Sequence, residues 1–435
     1  MDRELDVYLI NEIIGRLTQD ELARMSFTYD GAYLSRHSAP ISFSMPLREE
    51  PYPDHIASPF FSGLLPDEQA RRRLARTLGL SEDNQFGLLE VVGGECAGAL
   101  SLLPSGSSPP DLSSSEVDFV SEKRLNELLQ LLRQKPLLGG EQGIRMSLAG
   151  AQDKLAVCIV DNEIALPKQG RPTTHILKPY IKGLSGTVEN ELFCMELAAR
   201  VGLNVPSVSK STAGDIQFLL IERYDRLKQV DGSIQKLHQE DFCQAMSVPP
   251  ALKYEADGGP GLPHSMDLIK KASCRPAQDI LTFRQMVIFN YLAGNSDAHG
   301  KNFALIYDKD KPQLAPVYDV ISTTIYPQFT SNMAMSMLAQ YQPHKITLKH
   351  WFSLVPDTAA AKKTLIKELQ ALAIQTSTKS KELLEEYQQK GERSPVLQTI
   401  DKKIQSRSRK ILSLIEYHQK ENLNSTPRIP RRPSP

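Results

Sequence analysis

"GNSDAHGKNF", residues 294–303, gathers an acid (Asp297), an imidazole (His299), a cation (Lys301) and an amide (Asn302) between the apolar runs "MVIFNYLA" and "FALIY". Buried backbone and side-chain polarity is costly unless it is paired or put to use. So dense a polar cluster between two segments that read as core asks for a chemical reason.

The spacing Asp297-x-x-x-x-Asn302 is that of a protein-kinase catalytic loop, in which the aspartate accepts or orients a hydroxyl proton and the asparagine binds a magnesium ion. Two common residue types at one spacing arise about once by chance in a chain this long, so the surroundings decide. Asp319, in "LAPVYDVIS", follows Asn302 across "FALIYDKDKPQLAPVYD", which reads as a hairpin turning at Asp308 to Lys311. Two strands so joined bring Asp319 back beside Asn302 as a second hard oxygen ligand for magnesium.

Upstream, Lys178 ends the strand-like "THILK", as the phosphate-pairing lysine of kinases ends its strand. Glu191, or Glu189, on the helical "VENELFCMELA" can orient that lysine. "IQFLLIERYDR" reads as a buried strand emerging at Glu222, Arg223 and Tyr224, where backbone groups can meet an adenine. Neither a G-x-G-x-x-G nor a Walker pattern is present. In its place stands "RMSLAGAQDK", where Ala149, Gly150 and Ala151 allow backbone N–H groups to approach phosphate and Lys154 adds a cation. Each piece alone has a plain alternative: a strand-end surface lysine, an ordinary turn, a capping aspartate. Their order along the chain, from small-residue loop through strand lysine, helix glutamate and hinge to Asp-x4-Asn and metal aspartate, is that of a kinase.

The rest of the chain sets bounds. Its 435 residues suffice for two or three domains and a substantial core. Fifty-one Lys plus Arg balance fifty-one Asp plus Glu, so no global field argues for direct nucleic-acid or anionic-membrane binding. Five scattered cysteines (96, 158, 194, 243, 274) show no metal-ligand spacing and suit a reducing compartment, with no structural zinc. A charged amino terminus and the lack of an 18-residue apolar run predict a soluble, cytoplasmic protein.

Residues 1–104 read as a β-rich subdomain, with a hairpin turning near Asn11-Glu12 and further strands at "MSFTYD" and "ISFSM". "DEQARRRLARTLGL" reads as an amphipathic helix ending near Gly79, its arginines a solvated face rather than a nucleic-acid patch. Ser- and Pro-rich residues 105–118 read as a linker, 119–226 as a mixed lobe holding the phosphate loop, 227–420 as a helical lobe holding the catalytic loop, and 421–435 as a disordered tail. No internal repeat is evident. The expected architecture is α+β and two-lobed.

The stretches "SLAGAQDK", "PTTHILK", "VENE", "GLNVP", "IERYDR", "HQEDFCQ", "KYEADGGPG", "SDAHGKNF" and "PVYDVIS" closely resemble the HipA family, the kinase toxins of bacterial HipBA toxin–antitoxin systems. The resemblance runs from about 140 to 325, and "FFSGLLPDE" with "FGLLEVVGGECAGALSLLP" extends it into the first hundred residues, as in the full-length rather than the split form. It implies a protein-kinase-like, lipid-kinase-like fold and a serine/threonine kinase using ATP and Mg2+. A small HipB-like helix-turn-helix antitoxin would inhibit it and carry it to operator DNA. The implied substrates are aminoacyl-tRNA synthetases, glutamyl-tRNA synthetase first, and no membrane is involved.

Carried over residue by residue, the resemblance makes Asp297 the catalytic base and Asn302 and Asp319 the metal ligands. Lys178, Ala149, Gly150, Ala151, Gln152, Asp153, Lys154, Glu222, Arg223, Tyr224, His299, Gly300, Lys301, Asn302 and Tyr318 would line the ATP site. Ser147 takes the autophosphorylation position. "SDAHG" departs from the better-known T-D-G-H-A, and Asp153 replaces a glutamate; neither removes a functional group. His299 reads as a phosphate-side positioning group rather than a metal ligand, since no second histidine stands at a ligand spacing. A non-catalytic corepressor and a kinase for a small molecule or lipid are the competing readings. A pure scaffold would not need Lys178, Asp297, Asn302 and Asp319 together.

Overall fold

The computed structural model describes residues 3–36, 39–109, 111–139, 146–168, 170–308 and 311–425. The alternating apolar residues of the first hundred make a four-stranded antiparallel sheet, ordered Met25–Tyr29, Glu12–Gln19, Arg3–Leu9, Leu100–Pro104. The hairpin expected near Asn11-Glu12 is there, with Leu9 opposite Glu12. The arginine-rich helix Glu68–Leu78 ends on Gly79 in the left-handed conformation.

"ISFSM" is not a strand. Ser42 and Met45 close a tight turn instead, because the buried Glu240 carboxylate accepts the Ser42 hydroxyl (2.5 Å) and the Phe43 N–H (3.0 Å). A partner 197 or 198 residues away overrides the local alternation.

A second, six-stranded antiparallel sheet runs Val117–Phe119, Glu163–Pro167, Leu155–Val160, His175–Pro179, Ile216–Glu222, Val208–Ala213. The first of these strands begins inside the Ser/Pro-rich stretch and ends one residue past it. Helix Thr187–Arg200 packs on this sheet. Leu5, Phe27, Phe60 and Leu89 of the first hundred residues share one hydrophobic core with Leu129, Val157, Leu177 and Phe218.

The remaining residues build a mainly helical lobe around Leu262–Ala272, Pro276–Ala293, Ala359–Gln389 and Pro395–Ser425. Its core holds Phe283, Phe289, Trp351, Leu369 and Ile404. A three-stranded sheet of His238–Asp241, Ala304–Asp308 and Lys311–Leu314 faces the other lobe. In it Asp308 pairs with Lys311, as the hairpin reading required; residues 309–310 and the tail beyond 425 lie outside the described residues. The fold is thus the expected two-lobed α+β, kinase-like one. No helix among the described residues is long and apolar enough to cross a membrane.

Candidate active site

Helix Pro276–Ala293 delivers the loop that carries Asp297 and Asn302. It stops at Gly294, whose φ of 82° only glycine adopts cheaply and where a Cβ would stand 2.5 Å from the Thr324 hydroxyl. The chain then turns tightly. Asp297 C=O accepts the His299 N–H (2.8 Å) and the Asn302 side-chain N–H (3.2 Å), while the Asp297 N–H donates to Asn295 Oδ1 (3.0 Å). With Nδ2 committed to that carbonyl, Asn302 has Oδ1 as the atom that could meet a metal.

Lys178 sits opposite, at 6 % exposure. Its ammonium donates to Glu191 (2.7 Å) and to Asp319 (2.6 Å), so Glu191 rather than Glu189 is the helix partner. Burial works against the Lys178 charge, but the two carboxylates outweigh it and hold its pKa above the ordinary lysine value. For Asp319, burial is again outweighed, here by Lys178 and Lys154, and the carboxyl lies well below the usual range. Asp319 adopts a left-handed backbone, φ 58°, a strain of about 1–3 kcal/mol that its lysine contact helps to hold.

Residues 149–154 form the facing loop. Gly150 (φ 107°) lets the Lys154 ammonium fold back onto the Ala149 carbonyl; a Cβ there would lie 2.4 Å from the Lys154 nitrogen. Burial and Lys178 push the Lys154 pKa down to about 8. Gln152 reaches Pro179 C=O (3.1 Å) and Asp153 pairs with Arg73.

One cavity of about 1120 Å³ is lined by this loop, by Lys178 and Glu191, by Glu222, Arg223 and Tyr224, by Asp297, His299, Lys301 and Asn302, and by Tyr318 and Asp319. The spaced-out sequence elements therefore converge. Tyr224 and Tyr318 meet ring to ring at 5.7 Å at the hinge side, and the Tyr318 hydroxyl donates to Lys301 C=O (2.7 Å).

Not every side chain turns inward. The Arg223 guanidinium is spent on Asp225 (2.7 Å) and Thr173 (2.9 Å), and the Glu222 and Arg223 N–H groups on Ser207 and Thr174 carbonyls. The Lys301 ammonium donates to Gly63 C=O and Asp241, 3.1 Å each. Gly300 donates to Lys253 C=O (3.1 Å). His299 is buried and neutral, its pKa pushed down to about 3 by burial and by Lys253. Ser147 is fully buried behind the loop, its hydroxyl on Leu64 C=O and its N–H on Glu95 C=O, 2.7 Å each.

Sequence reading missed three groups here. The Tyr254 hydroxyl donates to Asp297 Oδ1 (2.6 Å), Lys253 pairs with Asp67 (3.3 Å), and Asp67 N–H donates to Gly150 C=O (3.1 Å). Lys253 and Tyr254 lie in "KYEADGGPG" and Asp67 in "FFSGLLPDE", and these two stretches were their only local signal.

These residues fit a magnesium nucleotide: a cation-flanked loop of small residues for phosphate, and an Asp and an Asn oxygen for a metal that takes few protein ligands. Among the described residues no cluster of three His, Cys, Asp or Glu side chains offers a site for a more protein-rich metal. All five cysteines are free thiols.

Residues 146–388 match the HipA-like C-terminal domain, and residues 5–103 the HipA N-terminal domain. The chain belongs to the HipA family. It is 45 % identical over 340 residues, 77 % of this chain and 80 % of the other, to the Sinorhizobium fredii protein named "Putative kinase Y4mE". It is 27 % identical over 387 residues, 85 % of this chain and 86 % of the other, to the serine/threonine-protein kinase toxin HipA of Shewanella oneidensis. The solved complex of Shewanella oneidensis HipA with HipB and operator DNA superposes with a TM-score of 0.80 at 23 % identity, covering 96 % of this chain and 99 % of that one, which establishes the shared fold. By family and homologues this HipA-family chain is a protein kinase.

Proposed function

We propose that this chain is an ATP- and Mg2+-dependent serine/threonine kinase that serves as the toxin of a toxin–antitoxin module. Its substrate would be an aminoacyl-tRNA synthetase, glutamyl-tRNA synthetase first. It would also modify its own Ser147, and a HipB-like helix-turn-helix antitoxin would hold it on operator DNA. The observation that carries the reading is the Lys178 ammonium bridging Glu191 and Asp319 in the cavity that also holds Asp297 and Asn302.

In this reading Asp297 takes the proton of the acceptor hydroxyl. The hydroxyl oxygen bonds to the γ-phosphorus as the bond to the β-phosphate oxygen breaks, and ADP leaves. Lys178, Lys154 and the N–H groups of residues 149–151 hold the phosphates, Glu191 holds Lys178, and the backbone of residues 222–224 meets the adenine beside Tyr318. A magnesium ion held by Asn302 and Asp319 would offset charge on the phosphates.

The test is labelled ATP added with the purified chain to a cell lysate, followed by mass spectrometry. A serine or threonine of a synthetase should carry the label, and Asp297→Asn should abolish transfer while ATP binding persists. Label confined to small molecules would favour the metabolite-kinase reading. A chain that labels nothing yet tightens an antitoxin on its operator would favour the corepressor.

A further inference from the structure

Resting on that assignment of Asp297, we propose that Tyr254 is a positioning residue for the catalytic base, aimed by the contact of its neighbour Lys253 with Asp67. The Tyr254 hydroxyl donates to one oxygen of the Asp297 carboxylate at 2.6 Å. That bond restrains the carboxylate's rotation, the kind of placement on which proximity effects depend.

Tyr254 is itself constrained on three sides. Its ring stands edge-to-face with buried His299 at 5.0 Å, the Lys253 ammonium lies 5.5 Å over it, and Lys253 C=O holds the N–H of Gly300 inside the catalytic turn. The lysine is anchored in turn. Lys253 and Asp67 are both buried and 3.3 Å apart, and Asp67 N–H holds Gly150 C=O of the phosphate loop. Lys301, two residues beyond His299, lies 3.8 Å from the other Asp67 oxygen, which has no hydrogen bond.

A single path of direct contacts therefore runs from the phosphate loop through Asp67, Lys253 and Tyr254 to Asp297. The base and the loop that cradles phosphate are registered against each other through a residue of the first hundred.

Tyr254→Phe is the decisive variant, because it keeps the ring, its contacts with His299 and Lys253, and the backbone, and removes only the hydroxyl. Turnover on a fixed protein substrate should fall about 10- to 100-fold, the scale expected when a base is misplaced rather than lost. The KM for ATP, the affinity for a non-hydrolysable ATP analogue and the melting temperature should stay at wild-type values. Lys253→Met should lower turnover in the same way, and the double variant should be no worse than the worse single one, since both act on one contact chain.

Unchanged turnover in Tyr254→Phe overturns the proposal. A rise in turnover overturns it too, since the hydroxyl would then have been occupying the acceptor's place. So does a loss of ATP affinity in step with the loss of rate. Full activity of Asp297→Asn would instead strike the underlying base assignment, and the two failures are thereby told apart.

Discussion

Lys178→Met deletes the cation that two carboxylates share while keeping much of the side chain's bulk. The Lys178–Glu191 pair, 2.7 Å apart, has side chains only 8 % and 4 % exposed, and breaking a buried pair of this kind costs about 3–5 kcal/mol because one charge is stranded. The Asp319 side chain is 43 % exposed, so water absorbs most of its loss and it adds little. That cost holds only while Glu191 stays ionised. Burial, then the Asp319 charge, raise the Glu191 pKa above 4.5 even against Lys178, and removing the lysine raises it further. A carboxyl raised in the folded state contributes stability that is full below its unfolded pKa and is lost as pH rises through its folded one. The variant's deficit should therefore be about 3 kcal/mol near pH 8 and shrink toward zero as the pH falls to about 4.5. At roughly 1 °C per kcal/mol for a chain of this size, Tm should drop by about 3 °C at the higher pH. Scanning fluorimetry of both proteins across this range provides the check. A gap that is flat with pH, or that widens on acidification, would refute the stranded-carboxylate argument.

Asp319→Ala should weaken ATP binding at saturating magnesium at least about tenfold, ~1.4 kcal/mol, by calorimetry, and an unchanged affinity would count against the metal role. Ser147 should carry phosphate in the active chain and none in Asp297→Asn by phosphopeptide mapping of residues 146–154. Ser147→Asp should lose tight ATP binding, and retained binding would contradict loop ejection. Burial, against donation from Ser42, Tyr307 and Phe43, pushes the Glu240 pKa up to about 7. Its contribution is full below about pH 4.5 and lost as pH rises through 7, so wild-type Tm should fall more steeply between pH 6 and 8 than that of Glu240→Gln. Parallel slopes would sink that assignment.

That Asp297 and Asn302 share one cavity was legible because they are local: an acid, an amide and their spacing lie within six residues of one loop. Lys178 and Asp319 were legible by a second route, since a strand end and a hairpin return each have a sequence signal. What sequence could not supply was direction. Lys301 and Arg223 fall in the right segments, but their charged heads turn to Asp241 and Asp225, and nothing in "GKNF" or "IERYDR" says which carboxylate lies behind. Tyr254 and Asp67 were missed for the complementary reason. Their partners stand 43 and 186 residues away, beyond any periodicity. "ISFSM" failed likewise, its alternation overruled by a distant buried carboxylate.

The same long-range pairs make the first hundred residues part of the enzyme rather than an attachment to it. Glu95 meets Arg226 at 3.0 Å and Arg223 at 3.4 Å, Asp67 meets Lys253, and Ser42 meets Glu240, all among buried side chains. Without that subdomain Lys253 would lose Asp67 and Glu240 its Ser42 and Phe43 donors, while Arg223 and Arg226 would keep only Asp225 of their carboxylate partners. The subdomain also grips the phosphate loop, and the grip can be gauged. Releasing the loop breaks two Ser147 hydrogen bonds, about 1 kcal/mol each net, and exposes Met146 and Leu148, each 4 % exposed and worth about 1.5–3 kcal/mol. Release thus costs about 5–8 kcal/mol, affordable only as a rare excursion in the unmodified chain. A phosphate on Ser147 reverses the balance. The hydroxyl's partner is the Leu64 carbonyl, an acceptor, so a dianion there would face a lone pair in a fully buried pocket. The inward position would then be the costly one, and in the proposed reading the loop would be held outside the ATP site by a charge that the site itself had placed.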